Sequence, residues 1–439
     1  EGESKNGKDA ANAEHRGLED VGSVEEAGSA RGGRQLVDMA VAFARGHRAV
    51  ASRISVTSRG CMRIPPLALI SALVVGNLPA TVQGQGTRVD LAHKGEGYPV
   101  YRIPALAVTT RGTLIAAYDG RPSGADVPSN IALVVRRSRD QGATWDAPHV
   151  VRADSAPFGF GDPSLLVDRE TGRIFLFHAA SVRQGFFGSA TGIGEDDPNV
   201  LQADYSWSDD DGATWQHRRI TAQIKDPAWG GLFASSGAGI QLRHGPHAGR
   251  LLQQYVVRFN GAIYGASAYS DDHGTSWRMG ALVGPGVDEN KTVELADGRV
   301  MLNGRAKGVR RVAWSADGGV TYTGLRDDST LVDPGNNAAI IRVHSEARAG
   351  TPKAGWLLFS NTSHPTERRN LTLALSCNSG RNWLGTSDIE PGLAAYSTIA
   401  MLPNGKVGVL YERGDYEWIT FTTVDAEQLT AWCVMADQR

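Results

Sequence analysis

The chain has 439 residues, among them 53 Gly and 19 Pro, with 41% apolar and 21% charged residues, a balance that excludes collagen, coiled coil and wholesale disorder. Lys and Arg number 45 against 47 Asp and Glu, so a formal charge of -2 offers no overall field to recruit nucleic acid or an anionic membrane surface. Three cysteines, Cys61, Cys377 and Cys433, are too few for a disulfide scaffold and match no zinc-ribbon or CxxC redox spacing.

Residues 1–61 are rich in Gly, Ala, Ser, Glu and Arg and show no strand-like alternation, which reads as a disordered or spurious extension. Met62-Arg63 then leads into the apolar run Ile64 to Gly76 and a small, polar exit. These are the parts of a secretory signal peptide over 62–85, with a buried strand or helix as the competing reading. Translation would begin at Met62 or Met39, and the mature chain near residue 85. No other stretch approaches membrane-span length. Loss of the leader removes Cys61 and leaves Cys377 and Cys433, which could bridge or stay as two buried thiols.

From residue 97 onward one phrase recurs. Its copies are Ser138-Arg-Asp140-Gln-Gly142-Ala-Thr144-Trp145, Ser208-Asp-Asp210-Asp-Gly212-Ala-Thr214-Trp215, Ser270-Asp-Asp272-His-Gly274-Thr-Ser276-Trp277 and Ser315-Ala-Asp317-Gly-Gly319-Val-Thr321-Tyr322. A degenerate fifth copy is Ser376-Cys-Asn378-Ser-Gly380-Arg-Asn-Trp383, and the starts lie 70, 62, 45 and 61 residues apart. Each copy predicts a hairpin corner: Ser and Asp bond turn backbone groups, Gly supplies positive φ, and the aromatic packs the turn down. Alternating segments such as Ile263 to Tyr269 and Leu371 to Leu375 precede the corners as strands do. The pattern predicts an antiparallel all-β array, and a closed ring of four-stranded sheets would hide its edges.

The phrase is the Asp box, and the chain resembles the sialidase (neuraminidase) family, whose fold is a six-bladed β-propeller of four-stranded sheets. Five boxes and a closing blade fit six. Tyr101-Arg102-Ile103-Pro104 resembles the Arg-Ile-Pro motif that opens the family's catalytic domain, and it is read as lying one strand before the first box. The resemblance spans roughly residues 97–435, within a domain set at 89–439, and is nearest to secreted bacterial sialidases, particularly those of actinobacteria. A scarcity of Lys (8, beside 37 Arg) agrees with a high-GC source.

What the resemblance implies about the site can be placed residue by residue. Sialic acid carries a carboxylate on its anomeric carbon, and planar bidentate arginines hold such an anion well. The family's three match Arg102, Arg305 in Leu302-Asn-Gly-Arg305, and Arg368, preferred over Arg369 by the R-x-[ND]-L spacing. Sialidases use a Tyr nucleophile where most glycosidases use a carboxylate. A neutral phenol avoids bringing a negative charge up to the substrate's own carboxylate, provided a nearby base takes its proton. Tyr396 matches that nucleophile and Glu289 its base, with Asp288 and Glu294 as competing carboxylates. Asp126, 24 residues beyond Arg102, matches the acid/base aspartate on a loop. Asp119 is its rival, read as a turn-forming Asp at a strand end. Arg121 and Asp162 resemble further site-lining positions, and Glu412 the glutamate that braces the first arginine. A Trp or Phe should line an N-acyl pocket.

The implied activity is exo-hydrolysis of terminal α-ketosidic sialic acids from glycoproteins, glycolipids or oligosaccharides, with retention. It needs neither metal nor cofactor, and a secreted monomer that binds no nucleic acid is expected. Competing readings are a trans-sialidase, an enzyme preferring the deaminated sugar, and a glycan-binding propeller without catalysis.

Overall fold

In the strand Arg369–Ser376, Leu371, Leu373 and Leu375 are buried on one face and Ala374 on the other. Successive side chains of a strand point to opposite faces, so this sheet is covered on both sides. The same holds for Leu114–Arg121, buried along its whole length, which explains why its sequence is an apolar run rather than a clean alternation.

The computed structural model describes Gly86 and residues 88–437. The extension 1–61, the signal-like segment 62–85 and Cys61 lie outside the described residues. Within them the strands form six four-stranded antiparallel units. Sheet one comprises Val100–Val108, Leu114–Arg121, Ala132–Ser138 and His149–Arg152, from inner to outer edge. Sheet two runs from Gly159–Val167 through Ile174–Ser181 and Gln202–Ser208 to Gln216–Arg219, with Gly237–Ala238 added parallel to its inner strand. Sheet three starts at Leu232–Ala234 and Ile240–Gln241, which share the partner Leu251–Phe259, and continues through Ala262–Ser270 to Arg278–Met279. Sheet four is Asn290–Glu294, Val300–Gly304, Gly308–Ser315 and Thr323–Asp333.

Sheets five and six share one long strand, Leu384–Met401. Its first part pairs with Arg369–Ser376 as the outer strand of sheet five, which also holds Ala339–Arg342 and Leu357–Thr362. Its second part is the inner strand of sheet six, followed by Lys406–Arg413 and Trp418–Asp425. Val89–His93 pairs with Trp418–Asp425 and supplies the fourth strand from the other end of the described chain.

Each sheet packs on the next through its own apolar cluster. Leu133 and Val135 meet Leu165 and Leu176 between sheets one and two; Phe175 and Phe177 meet Tyr255 and Trp277 between two and three. Leu252 meets Val300, Met301 meets Phe359, and Leu373 meets Val409 at the following three interfaces. The last, Leu410 and Phe421 against Leu114 and Tyr118, returns to sheet one. A closed ring results, the six-bladed β-propeller, in which inner strands are paired and covered and no long edge is left at the centre.

All five boxes lie between the third and outer strands of sheets one to five. In the first, Gly142 N donates to Ser138 Oγ (2.7 Å), Thr144 N to Asp140 Oδ1 (2.8 Å) and Trp145 Nε1 to Gly142 O (3.2 Å). Gly142 stands at φ 93°, and a Cβ there would lie 2.0 Å from the Phe421 ring, so glycine is required twice over. Trp145 packs edge-on to the same Phe421, which belongs to sheet six. The aromatic therefore fastens a corner to the neighbouring sheet as well as to its own turn. Sheet six has no such corner to make, because its third strand runs into the helix Ala426–Asp437 and its outer strand is Val89–His93. Two local expectations change. The Arg-Ile-Pro motif lies on the inner strand of sheet one, and both Leu114–Arg121 and Ala132–Ser138 intervene before the box. Of the two alternatives left open for Cys377 and Cys433, they form the disulfide (Cα–Cα 5.4 Å), and it ties the fifth box to a final helix that the strand-like pattern did not foretell. Among the described residues no helix is long and apolar enough to cross a membrane.

Candidate active site

Three inner strands break their ladders at the same end of the ring. The register slips between Arg102 and Ala105, between Gly161 and Ser164, and between Ala394 and Ser397. At the first two slips the sequence is Ile103-Pro104 and Asp162-Pro163. Proline has no N–H to give the ladder, and the residue before it stands at φ 62° in both cases. Such left-handed non-glycine backbone costs about 1–3 kcal/mol, so surrounding contacts must hold it. A bulge re-aims side chains, and Arg102, Asp162 and Tyr396 all line one cavity of about 310 Å³.

Glu412 is one of those holding contacts. Fully buried, it accepts Ile103 N (2.8 Å) and Tyr396 N (3.0 Å), two backbone donors that the slips leave without ladder partners. It also takes Arg102 in a two-pronged pair, Nε at 3.0 Å and Nη2 at 3.3 Å. Burial would depress the Arg102 guanidinium; the Glu412 charge and hydrogen bond outweigh it and hold the group above its ordinary value.

At the cavity floor the Tyr396 hydroxyl donates to Glu289 Oε2 at 2.5 Å. Arg305 Nη1 reaches the same oxygen (2.5 Å) and the Tyr396 hydroxyl oxygen (2.8 Å). Arg368 lies over the Tyr396 ring, 5.0 Å from its centre, and Arg102 at 5.1 Å. Burial, then the charge of Glu289, pushes the Tyr396 phenol well above its ordinary value despite the three arginines. Burial would likewise raise Glu289, but Arg305, Lys291 and the hydrogen bonds from Tyr396 and Arg305 reverse that and hold it below the usual carboxylate range. The resting pair is thus a neutral phenol bonded to a carboxylate, with positive charge around both.

A second cluster stands across the cavity. Asp126, on the loop after Leu114–Arg121, is 72% exposed and pairs with Arg121 at 2.6 Å. Asp119 grips the other side of Arg121 through Oδ2, with Nη2 at 2.7 Å and Nε at 3.0 Å. The turn-forming reading of Asp119 is therefore corrected: it sits inside a strand, fully buried, because Arg121 needs a partner there. Burial pushes Asp119 up to about 6 despite Arg121. Burial, then the charges of Asp119 and Asp126, pushes Asp162 well above its ordinary value.

Of the residues singled out from sequence, Arg102, Arg305, Arg368, Asp126, Asp162, Glu289 and Tyr396 line the cavity, while Arg121 and Glu412 brace its members. Asp288 shares the cavity and pairs with Arg305 at 3.5 Å; Glu294 lies at the other end of its strand, bonded to backbone of residues 243 and 244. Arg369 lies outside the cavity lining. Sequence reasoning passed over Tyr416, whose hydroxyl accepts Arg368 Nη1 (3.1 Å) and whose ring carries Arg102 at 4.5 Å. Lys291 was also missed; buried beside Glu289, it bonds Ser235 (3.0 Å) and Asn337 (2.8 Å). Burial pulls its amine down to about 7. The aromatic wall left unassigned is made by Phe186, Phe187 and Phe233. Tyr396 and Glu289 were found from their sequence neighbours; Tyr416 lies in a turn with no motif around it.

A model described as a BNR repeat-like domain matches residues 112–409, and the chain belongs to that family. It is 53% identical over 337 residues to a sialidase of Micromonospora viridifaciens, covering 75% of this chain and 52% of that protein. A sialidase of Bacteroides fragilis (strain YCH46) is 28% identical, over 74% of this chain and 62% of that one. The chain thus spans about half the length of the first relative and under two thirds of the second. Among solved structures, the Hadza microbial sialidase Hz136 superposes with a TM-score of 0.71 at 30% identity, covering 78% of this chain and 69% of that one.

Proposed function

We propose that this chain is the catalytic domain of an exo-α-sialidase, releasing terminal sialic acids from glycoconjugates with net retention. The observation that carries the reading is the Tyr396 hydroxyl bonded to Glu289 at 2.5 Å beneath three arginines. Arg102, Arg305 and Arg368 bind the substrate carboxylate. Asp126 donates its proton to the leaving oxygen as the anomeric bond breaks, and Tyr396 Oη attacks the anomeric carbon while its proton passes to Glu289. Binding the substrate's negative charge removes part of the arginines' hold on Glu289, which makes that carboxylate a better base when the phenol must act. Positive charge developing on the sugar is met by the incipient phenolate. Asp126, now ionised, takes a proton from water, whose oxygen displaces Tyr396; Glu289 returns the proton to the phenolate. The sialidase relatives and the Hz136 superposition support this reading.

The enzyme acts outside the cell, a proposal supported by the signal-like pattern of 62–85 and by a disulfide of the kind kept in oxidising compartments. It works as a monomer on sialylated glycans and binds no nucleic acid, in keeping with its near-neutral charge.

The test is proton NMR of aryl α-sialoside hydrolysis by the wild-type chain and by Tyr396→Phe. Early release of the α-anomer is expected, with kcat of the variant lower by about 10²–10⁴. First-formed β-anomer would refute the covalent tyrosine route, and a folded wild-type protein that releases nothing would refute the activity.

A further inference from the structure

The inner strands that carry the catalytic cluster run on to a second cavity at the opposite end of the ring, also about 310 Å³. Six short stretches, drawn from all six sheets, line it: residues 106–108, 165–167, 238–241, 293–294, 340–342 and 399–401. Its apolar wall is made by Val108, Val167, Ile240, Ile341 and Met401, all partly exposed. Three arginines, Arg169, Arg243 and Arg342, line it beside a single carboxylate, Glu294.

That carboxylate is already engaged. Its oxygens accept Arg243 N (2.9 and 3.0 Å) and His244 N (2.8 Å). Arg169 spends two donors on Gln241 O (3.0 Å) and Leu242 O (3.2 Å), neutral acceptors, while Glu294, Asp168 and Glu170 act on it through charge without a hydrogen bond. Arg342 is 5% exposed and donates to the carbonyls of His344, Ser345 and Ala347 and to His244 Nε2 (2.8 Å), while its Nη1 has no partner among the described residues. Arg243 is paired through Nη1 with Glu346, which is 75% exposed and outside the lining; its Nε and Nη2 are not engaged among the described residues. Within the lining itself three guanidiniums face one carboxylate. Burial lowers all three arginines from their ordinary values, Arg243 to about 10, whereas the three arginines over Tyr396 are all raised. Buried positive charge without a partner is costly, and an anion would relieve it.

We propose that this second cavity binds a small organic anion made of one carboxylate and a short aliphatic body, the carboxylate on Arg243 and Arg169 and the chain against the apolar wall. The size falls within the ~300–1,000 Å³ of small-molecule sites. The inference does not depend on the sialidase reading.

Hexanoate is the probe, titrated calorimetrically into the full chain, with acetate and inorganic phosphate in parallel. Saturable hexanoate binding is expected, weakened more than about tenfold by Arg243→Gln, since hydrogen bonds to charged groups are worth ~1.5–3 kcal/mol. Filling the cavity with Val108→Phe should abolish it. Acetate should bind at least about tenfold more weakly, having lost apolar methylenes worth ~0.8 kcal/mol each. Arg305→Gln removes a carboxylate partner from the other arginine cluster, and the saturable phase that Val108→Phe abolishes should persist in it. Melting curves of every variant, with and without hexanoate, separate misfolding from lost binding, because a ligand of the folded state raises Tm. No saturable binding to wild type, binding lost in Arg305→Gln but kept in Arg243→Gln, or acetate or phosphate binding as tightly as hexanoate would each overturn the proposal.

Discussion

The two ends of the propeller axis are built from the same inner strands, hold three arginines apiece and enclose cavities of equal volume, yet their backbones and charges differ. At the Tyr396 end three ladders slip, and Glu412 serves the freed amides and Arg102 together. At the other end the ladders from Ala105, Ser164 and Ser397 onward are regular, so side chains keep the ordinary alternation. Carboxylates meet Arg102 and Arg305 at the first end, where Arg368 bonds Tyr416 and Gly335 O, and mostly backbone carbonyls meet the arginines at the second. Between the two lies a polar layer that includes Ser164 with Gln253 (3.0 Å), Thr292 with Gln254 (3.1 Å), and Lys291. A cluster of arginines is thus not one kind of site: bulges and buried carboxylates fix the guanidiniums around Tyr396, whereas at the far end regular ladders leave them beside an apolar-walled hollow.

The sharpest way to break this contrast is Glu412→Gln. It keeps the shape but removes the charge that holds Arg102, and breaking a buried ion pair costs about 3–5 kcal/mol. Loss of stability of that order is expected, with kcat/KM for an aryl sialoside down by about 10²–10³ and most of the loss in KM. An unaltered KM would show that Arg102 does not need its brace. Hexanoate binding at the far end should not change.

Next comes Asp119→Asn, read by urea unfolding at pH 4.5 and 7.5. The folded-state value of Asp119, about 6, lies above its ordinary 3.8, so the folded protein holds this proton more tightly than the unfolded chain. Its contribution is present in full below pH ~4 and lost as pH rises through about 6, roughly 3 kcal/mol in all. Wild type should lose about 2 kcal/mol more than the variant between the two pH values, part of the contribution being already gone at pH 4.5; parallel curves would contradict the assignment.

Lys291→Met tests whether the intervening polar layer tunes the Tyr396 end. Lys291 is the second positive charge holding Glu289 down, after Arg305. Its removal should move the acid limb of kcat/KM to higher pH, since the base must ionise without that help, while activity on the plateau falls by less than about tenfold. A limb that stays in place would make Lys291 a packing group only.

Much of this was legible in the chain because it depends on short-range signals. The boxes are local hydrogen-bond devices, so their Ser, Asp and Gly announce corners without reference to the rest of the fold, and Arg-Ile-Pro carries its bulge in its own proline. Tyr396 and Glu289 stood in contexts that could be matched, and the cavity gathers them. What escaped depends on distant partners. Asp119 resembles a turn residue until Arg121 is seen beside it, and Tyr416 has meaning only once Arg102 and Arg368 lie near it. Cys433 could not be paired before the final helix was placed over the fifth box. Arg169, Arg243 and Arg342 are three of 37 arginines, scattered over 174 positions, and only ring closure makes them neighbours.

The smallest expected effect concerns what the two ends have in common, the outer frame. In the fourth box Ser315 Oγ accepts Gly319 N (2.8 Å) and donates to Asp317 Oδ1 (2.7 Å), and Ser315 itself is buried. Ser315→Ala leaves the Gly319 amide without an acceptor at a position that water does not reach freely, a cost of about 1–2 kcal/mol. In a domain of this size that lowers Tm by only a few degrees. Because the corner lies two strands out from the inner strand of sheet four, across Val300 from Glu294, kcat/KM and hexanoate affinity should both match wild type at temperatures below the transition. A change in one without the other would mean that the frame is coupled to that end alone, and the picture of one rigid ring carrying two independent mouths would have to be given up.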